Sequence, residues 1–555
     1  MHEHLLKRFR PAIWVAYREG GLAFQYWAPN LLSGLVVAIV AIPLALGFAI
    51  ASGAKPEQGL YTAIVAGACV SLFGGTRLQI AGPTGAFVAV LASITARFGI
   101  DGLQTASFMA GVLLLLLGAV RAGDVMRYVP STVILGFTAG IAVIIFVGQW
   151  RYFLGLPSLP SGANATHWRE WVLAWNHIDP PTLSLGVLGL ALAIVAPKTP
   201  GLKTIPAPLT VIVALTLLAS THSYFHEVAT IGGLYGQLPR ALPMPQWPNL
   251  APARVLELLG PAVTIAMLGA IESLLSASIA DGFRNTRHDP DQELLGQGLA
   301  NCLVPVWGGF AATGAIARTA TNARAGATGP LSGVFHSVVL LVALYSLAPY
   351  AARVPMVALA TVLFVVAFNM AHLPQLQRTL LRAPVADKLI VITTLLLTVF
   401  TDIVVAVNVG VLLATLHFLR RMAHSIQVVE DSPSLATQAE TPPEVQVFTI
   451  QGPIFFAAAR EFQAVLRSVH AQPRMVLFRF ENVPFVDWTG IQALEELVEE
   501  FERRRIAVGL VGLNDRVRHK LLNARFFERF PAVRAAVDVQ HAQRALESSK
   551  TQGAV

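Results

Sequence analysis

Along the first three quarters of the chain, apolar residues come in long blocks rather than in alternation with polar ones. Examples are LLSGLVVAIVAIPLALGFAI (31–50), FMAGVLLLLLGAV (108–120), VILGFTAGIAVIIFVG (133–148) and LIVITTLLLTVF (389–400). Crossing the hydrocarbon of a bilayer takes roughly 20 residues of helix, and fewer where a broken helix ends inside protein. The pattern predicts fourteen membrane segments, near 32–51, 60–73, 84–97, 104–120, 131–148, 183–196, 205–219, 260–279, 294–307, 313–324, 331–348, 356–370, 388–402 and 403–419.

The pattern changes near Arg420, where charged residues return. DSPSLATQAETPPE (431–444) is polar and contains proline, and reads as a linker within 423–444. Beyond it come strand-like VQVFTIQG, helical AAAREFQAVLRSV, strand-like RMVLFRFENV, helical VDWTGIQALEELVEEFERR, strand-like IAVGLVGL and helical NDRVRHKLLNARF. Alternating strands and helices predict an α/β domain over 445–545, followed by a disordered tail, 546–555. Residues 1–30 are basic and aromatic without the order of a cleavable signal, and read as a cytoplasmic interfacial segment.

Two of the membrane segments share a pattern. GGTRLQIAGPTGAF begins at Gly74 and GGFAATGAIARTAT at Gly308, each a Gly-Gly, an extended run and then a short helix. Seven segments separate them, and an odd number per repeat inverts the two halves in the bilayer. A helix that starts at membrane depth exposes free N–H groups and the positive end of its dipole. Two such starts facing each other make an anion site, with the N–H groups of Thr84, Gly85 and Ala86 expected opposite those of Arg318, Thr319 and Ala320. The alternative is that these glycine-rich stretches only let helices pack closely.

Composition fits this picture: of 555 residues, 54% are hydrophobic and 13% charged, with a mean hydropathy of +0.60, which excludes an ordinary soluble protein. The net charge of +8 reports orientation rather than nucleic acid binding. Arg77, Arg121, Arg127, Lys198, Lys203, Arg284, Arg287, Arg324, Arg378, Arg382 and Lys388 fall in loops on one side, which places both termini in the cytoplasm. Cys69 and Cys302 sit in apolar blocks and indicate no disulfide framework. Nothing suggests an enzyme, a cofactor or a metal cluster.

One carboxylate stands out. Glu272 lies in AVTIAMLGAIESLLSASIADG, where an ionised, unpaired carboxyl group costs several kcal/mol. It must either pair, for instance with Arg318, or stay protonated, since desolvation disfavours the charged form. The second solution makes it a proton carrier. Ser276 shares its helical face, and Glu293, at a helix mouth, is either a second coupling group or only a helix-start carboxylate.

At these residues the sequence resembles the SulP, or sulfate permease, family of anion transporters. The likeness runs through GLVVAIVAIPLALGFA (34–49), EQGLYTAIVAG, GGTRLQIAGPTGAFV, LGAIESLLSA, QELLGQGLAN and ARTATNARAGAT. AMLGAIESLL, GQGLAN, AIAR and NARAGAT are most similar to the bacterial dicarboxylic acid transporters within it. The resemblance implies a seven-plus-seven inverted repeat, with a core domain (about 31–122 and 260–349) moving against a gate domain (about 123–259 and 350–422) in an elevator-like cycle. Carried over by position, it implies a substrate pocket of Phe48, Pro83, Thr84, Gly85, Ala317, Arg318 and Thr319, with Ala86 at the helix start, and Glu272 as the coupling carboxylate. Many members have Gln where this chain has Leu44, and sodium-coupled members have Asp for Glu272 and Thr for Ile316. Ile316 offers no side-chain oxygen to a hard cation, which favours protons over sodium.

The C-terminal region resembles the STAS domain, with Asp487, Trp488, Thr489 and Gly490 at its usual site; Thr489 reads as a helix N-cap, with regulatory phosphorylation as the alternative. The resulting expectation is a multi-pass bacterial inner-membrane protein that couples protons to uptake of a C4-dicarboxylate such as succinate, fumarate or an aspartate-like anion. It implies a homodimer in contact with lipid, with a cytoplasmic protein partner open through the STAS domain and no nucleic acid. Sulfate or bicarbonate as substrate remains open, as do an anion channel and a STAS-linked membrane sensor.

Overall fold

The structure is a computed structural model that describes residues 10–126, 130–156, 177–202, 205–401, 403–423, 426–430, 445–455, 462, 465–466, 473–537, 539 and 541. It divides into two compact units, 1–412 and 413–555.

In the first unit every apolar block is helical. The helices are Trp27–Ala51, Pro56–Phe73, Gly85–Ala119, Ser131–Leu154, Pro180–Val195, Ala207–Thr221, Pro252–Arg284, Pro290–Val306, Ile316–Arg324, Leu331–Ala351, Met356–Met370 and Val385–Phe400, with a further one, Ile403–Ala423, that begins in this unit and continues past residue 412. The third and fourth blocks form one run interrupted at Gly99, whose φ of 70° and ψ of −178° suit only glycine. Among the described residues, seven helices are long and apolar enough to cross a membrane. The apolar helices, these seven and shorter ones alike, have apolar outward faces, with Leu116, Val187, Leu217, Val342 and Leu396 exposed, as a hydrocarbon solvent requires.

Several of these helices start where the sequence supplies a cap. Pro180 and Pro290 occupy the first turn, where no N–H partner is lost, and Asp179 and Asp289 accept backbone N–H groups of Thr182 and of Asp291 and Gln292. A short N-terminal helix, Ala12–Arg18, buries Ala12 and Ala16 and leaves Trp14 and Tyr17 exposed. It is tied to the membrane unit by the Ala12 N–H to the Gly74 carbonyl at 2.8 Å and by an Arg77–Glu19 ion pair.

The second unit holds a five-stranded sheet in the order Gln427–Glu430, Val445–Gln451, Met475–Asn482, Ala507–Val511 and Arg534–Ala536; the first pair is antiparallel and the rest are parallel. The helix Trp488–Arg503 buries Ile491, Leu494, Leu497, Val498 and Phe501, a helical stripe that packs on Phe448, Phe478 and Phe480. Two sequence expectations change here. Gln427–Glu430, assigned to the linker, is the edge strand of the sheet: it is short and mostly exposed, and only the tertiary ladder reveals its pairing. The cap of the helix is Asp487, whose carboxylate accepts the Gly490 N–H at 2.7 Å, whereas Thr489 is an exposed second helical residue. The expected helix AAAREFQAVLRSV, the linker 431–444 and the tail 546–555 lie mostly or wholly outside the described residues.

Candidate functional site

The two Gly-Gly segments meet. Their extended runs cross as a pair of two-residue antiparallel strands, with Ala81 opposite Gly314 and Gly82 opposite Thr313, and the Ala315 N–H donates to the Ile80 carbonyl at 2.8 Å. Extended backbone at this depth needs partners for its polar groups. The helix Pro252–Arg284 supplies some of them: Ser273 Oγ accepts the Gly314 N–H at 3.1 Å and lies 2.8 Å from Thr313 Oγ1, and Ser276 Oγ donates to Thr319 Oγ1. Thr319 Oγ1 also accepts the Ile80 N–H. Asn322 is fully buried, donates to the Leu78 carbonyl and to Ser332, and accepts from Ser33. Asn322 therefore serves the crossing rather than a ligand.

Each run then enters a helix without a side-chain cap. Thr84 precedes a helix that begins at Gly85, and Ala315 precedes one that begins at Ile316. The open N–H groups of the second helix are accordingly those of Ile316, Ala317 and Arg318. The expectation that Thr319 and Ala320 contribute theirs is corrected by the helix starting two residues earlier: the Thr319 N–H is bonded to the Ala315 carbonyl at 2.8 Å.

Both helix starts border a cavity of about 310 Å³. Phe48, Pro83, Thr84, Gly85, Ala86, Ala317 and Arg318 line it together with Glu272. Thr319 does not: it is fully buried behind the helix start, its hydroxyl engaged by Ser276 and Ile80. Sequence reasoning missed the facing wall, which includes Val133, Ile134, Phe137, Thr138, Asn369 and His372. No local signal marks those residues, because they are ordinary members of apolar helices or of the turn that follows one.

Arg318 is 1% exposed and reaches across to the other repeat. Its Nη2 donates to the Pro83 carbonyl at 3.0 Å, and its Nη1 has no hydrogen-bond partner among the described residues. Gly82 is required beside it, since a Cβ there would collide with Nη1. Glu272 accepts from Thr84 Oγ1 at 3.0 Å, and no ion pair joins it to Arg318 among the described residues. The cavity thus holds a cation with a free donor and a carboxylate with no cation.

Glu293 is elsewhere and differently held. It is fully buried and accepts from the Gly75 N–H at 3.0 Å, Gln79 Nε2 at 2.8 Å and Gln297 Nε2 at 3.1 Å. The Gly75 and Gln79 donors fix the loop after Gly74 to the start of the helix Pro290–Val306, and Gln297 donates from one turn further along that helix.

A helical membrane unit in which two uncapped helix starts and a buried guanidinium line one cavity has the architecture of an anion transporter. The model described as the sulfate permease family matches residues 28–394 and that of the STAS domain residues 436–540, and the chain belongs to the sulfate permease family. It is 39% identical over 516 residues to the candidate sulfate transporter YvdB of Bacillus subtilis, covering 92% of this chain and 96% of that protein. It is 31% identical over 525 residues to the bicarbonate transporter BicA of a Picosynechococcus species, covering 90% and 91%. Among solved structures, the transmembrane domain of a cyanobacterial BicA aligns with a TM-score of 0.64 at 29% identity, over 70% of this chain and 98% of that one. The murine solute carrier 26 family member A9 anion transporter, in its inward-facing state, shares the fold at a TM-score of 0.86 and 17% identity, over 98% and 95%. The protein is thus an anion transporter of the SulP fold with a C-terminal STAS domain.

Proposed function

We propose that the protein is a secondary active carrier that takes up a C4-dicarboxylate, such as succinate or fumarate, with a proton. The observation that carries this reading is the joint presence in one cavity of Arg318 with a free Nη1 and of Glu272 without a cation. An ionised Glu272 repels a bound dianion, and a proton on Glu272 removes that repulsion. Proton and substrate therefore favour each other's binding, and by linkage the effect is reciprocal. Ile316 at the helix start brings no oxygen for sodium.

The carbon part of the substrate is supported by the rest of the lining, where Leu44, Phe48, Phe137, Leu268 and Met370 present apolar surface. The reading includes elevator-like motion of a core against a gate in a homodimer of the bacterial inner membrane, with both termini cytoplasmic; the family likeness and the positive-inside loops support it. Sulfate or bicarbonate is the second reading, favoured by the names of the relatives YvdB and BicA.

Proteoliposomes loaded with labelled succinate, fumarate, sulfate or bicarbonate at two pH values separate the two. Saturable succinate counterflow with accumulation driven by an inward proton gradient is expected. Accumulation of sulfate or bicarbonate alone would replace the first reading by the second, and non-saturable flux without counterflow would indicate a channel.

A further inference from the structure

The charged groups of the cavity lie on its core-domain wall, but the gate wall is not featureless. Asn369, in the last turn of the helix Met356–Met370, and His372, two residues beyond that helix, both line the cavity and are exposed there. No hydrogen bond or ion pair engages either side chain among the described residues. Thr138, the other polar residue of this wall, is different: its hydroxyl already donates to the Ile134 and Leu135 carbonyls. His372 has left-handed backbone, φ 43° and ψ 44°, and caps the next helix without a side-chain hydrogen bond. A non-glycine residue held in that region at a binding cavity is the kind of local cost that persists where a side chain has to be presented.

The same cavity is lined by an apolar belt that includes Phe48, Phe137, Ile271 and Met370. Polar groups contributed by separate helices, together with an apolar belt, match a ligand with two acceptor groups joined by a short hydrocarbon. The Asn amide offers two N–H donors and the imidazole at least one, which is what a carboxylate accepts. A single-centred anion such as sulfate or bicarbonate has no hydrocarbon to lay along the belt.

We propose that Asn369 and His372 form a second carboxylate subsite, so that one carboxylate of the substrate sits at the helix starts and Arg318 while the other is held by the gate. This rests on the dicarboxylate reading of the same cavity and makes the gate wall the determinant of two-headed over one-headed anions.

The test uses the full chain in proteoliposomes and compares inhibition of labelled succinate counterflow by succinate and by butyrate, which has the same length but one carboxylate. The wild type should prefer succinate by at least tenfold. Asn369→Leu and His372→Gly, the latter keeping the left-handed turn without steric cost while removing the imidazole, should each lower that preference several-fold, and the double variant should abolish it. His372→Asn, which tolerates the same turn and brings an amide donor, should retain more of the preference than His372→Gly does, separating the lost donor from a disturbed turn. An undiminished succinate preference in the double variant would overturn the subsite while leaving the dicarboxylate reading intact. A wild type that moves sulfate but not succinate would overturn that reading and the subsite together.

Discussion

At the scale of single residues, the informative contrast is between buried polar groups that are satisfied and those that are not. Asn322 and Thr319 have their partners within the protein, whereas Arg318 keeps one nitrogen free and Glu272 has a hydroxyl but no cation. A buried guanidinium without a counter-charge is costly, and replacing it with a well-packed apolar side chain offsets that cost against the loss of its bond to Pro83. Arg318→Met is therefore expected to leave the melting temperature of the detergent-solubilised protein nearly unchanged while weakening anion binding tenfold or more, as read by thermal-shift titration. A large drop in melting temperature with unaltered affinity would instead make Arg318 a structural group. Glu272→Gln should retain exchange of labelled substrate and lose accumulation driven by a pH gradient. Glu293→Gln, in a site built from three neutral donors, should keep that accumulation and lose stability by about 1–3 kcal/mol for each donor left unpaired.

At the scale of elements, the site is made by how two helices begin and by what neighbouring helices press against them. A Cβ on Gly85 would stand 2.5 Å from Met370 Sδ and 3.4 Å from Phe48 Cε1, so the first residue of this helix lies against the end of the helix Met356–Met370. Overpacking of this kind costs about 1–3 kcal/mol. Gly85→Ala should thus slow transport severalfold, and Met370→Ala in the same chain should recover part of the loss; equal defects in the single and double variants would place the fault elsewhere. The half-helices and Glu272 were legible in the sequence because glycine, proline and an intramembrane carboxylate are loud local signals. The open N–H groups of the second helix were expected two residues too late because Ala315, its cap, has only a methyl group and no hydrogen-bonding atom to announce it. The facing wall was illegible for a different reason: Phe137 and Asn369 follow the periodicity of their own helices and become neighbours of the site only through packing. Leu44 and Ile316, noted for what they lack, do border the cavity.

At the scale of the whole molecule, each unit has its own hydrophobic core and its own reason to fold. The membrane unit packs through small residues and apolar faces, and the second unit around Phe448, Phe478, Leu494 and Phe501, with an edge strand that precedes the linker. Two cores with different solvents should unfold in two steps, and a change confined to one should move one step. Asp487 provides the handle, because its carboxylate caps the helix Trp488–Arg503 through the Gly490 N–H at the surface of the second unit. Losing such a cap costs about 1 kcal/mol. Calorimetry of the full chain is expected to show Asp487→Ala lowering the transition of the STAS unit by a few degrees while the membrane unit's transition stays in place. Thr489→Asp should leave both transitions standing, since an added negative charge in the first turn of a helix is favoured by about 0.3–1 kcal/mol through the helix dipole. Transport measured on the same two variants then reads whether this surface regulates the carrier: a changed rate with Thr489→Asp, but with both transitions intact, makes the exposed hydroxyl a control point rather than a fold element. If both units instead melt together and both variants shift that single transition, the two cores are one cooperative structure and the STAS unit acts through stability alone.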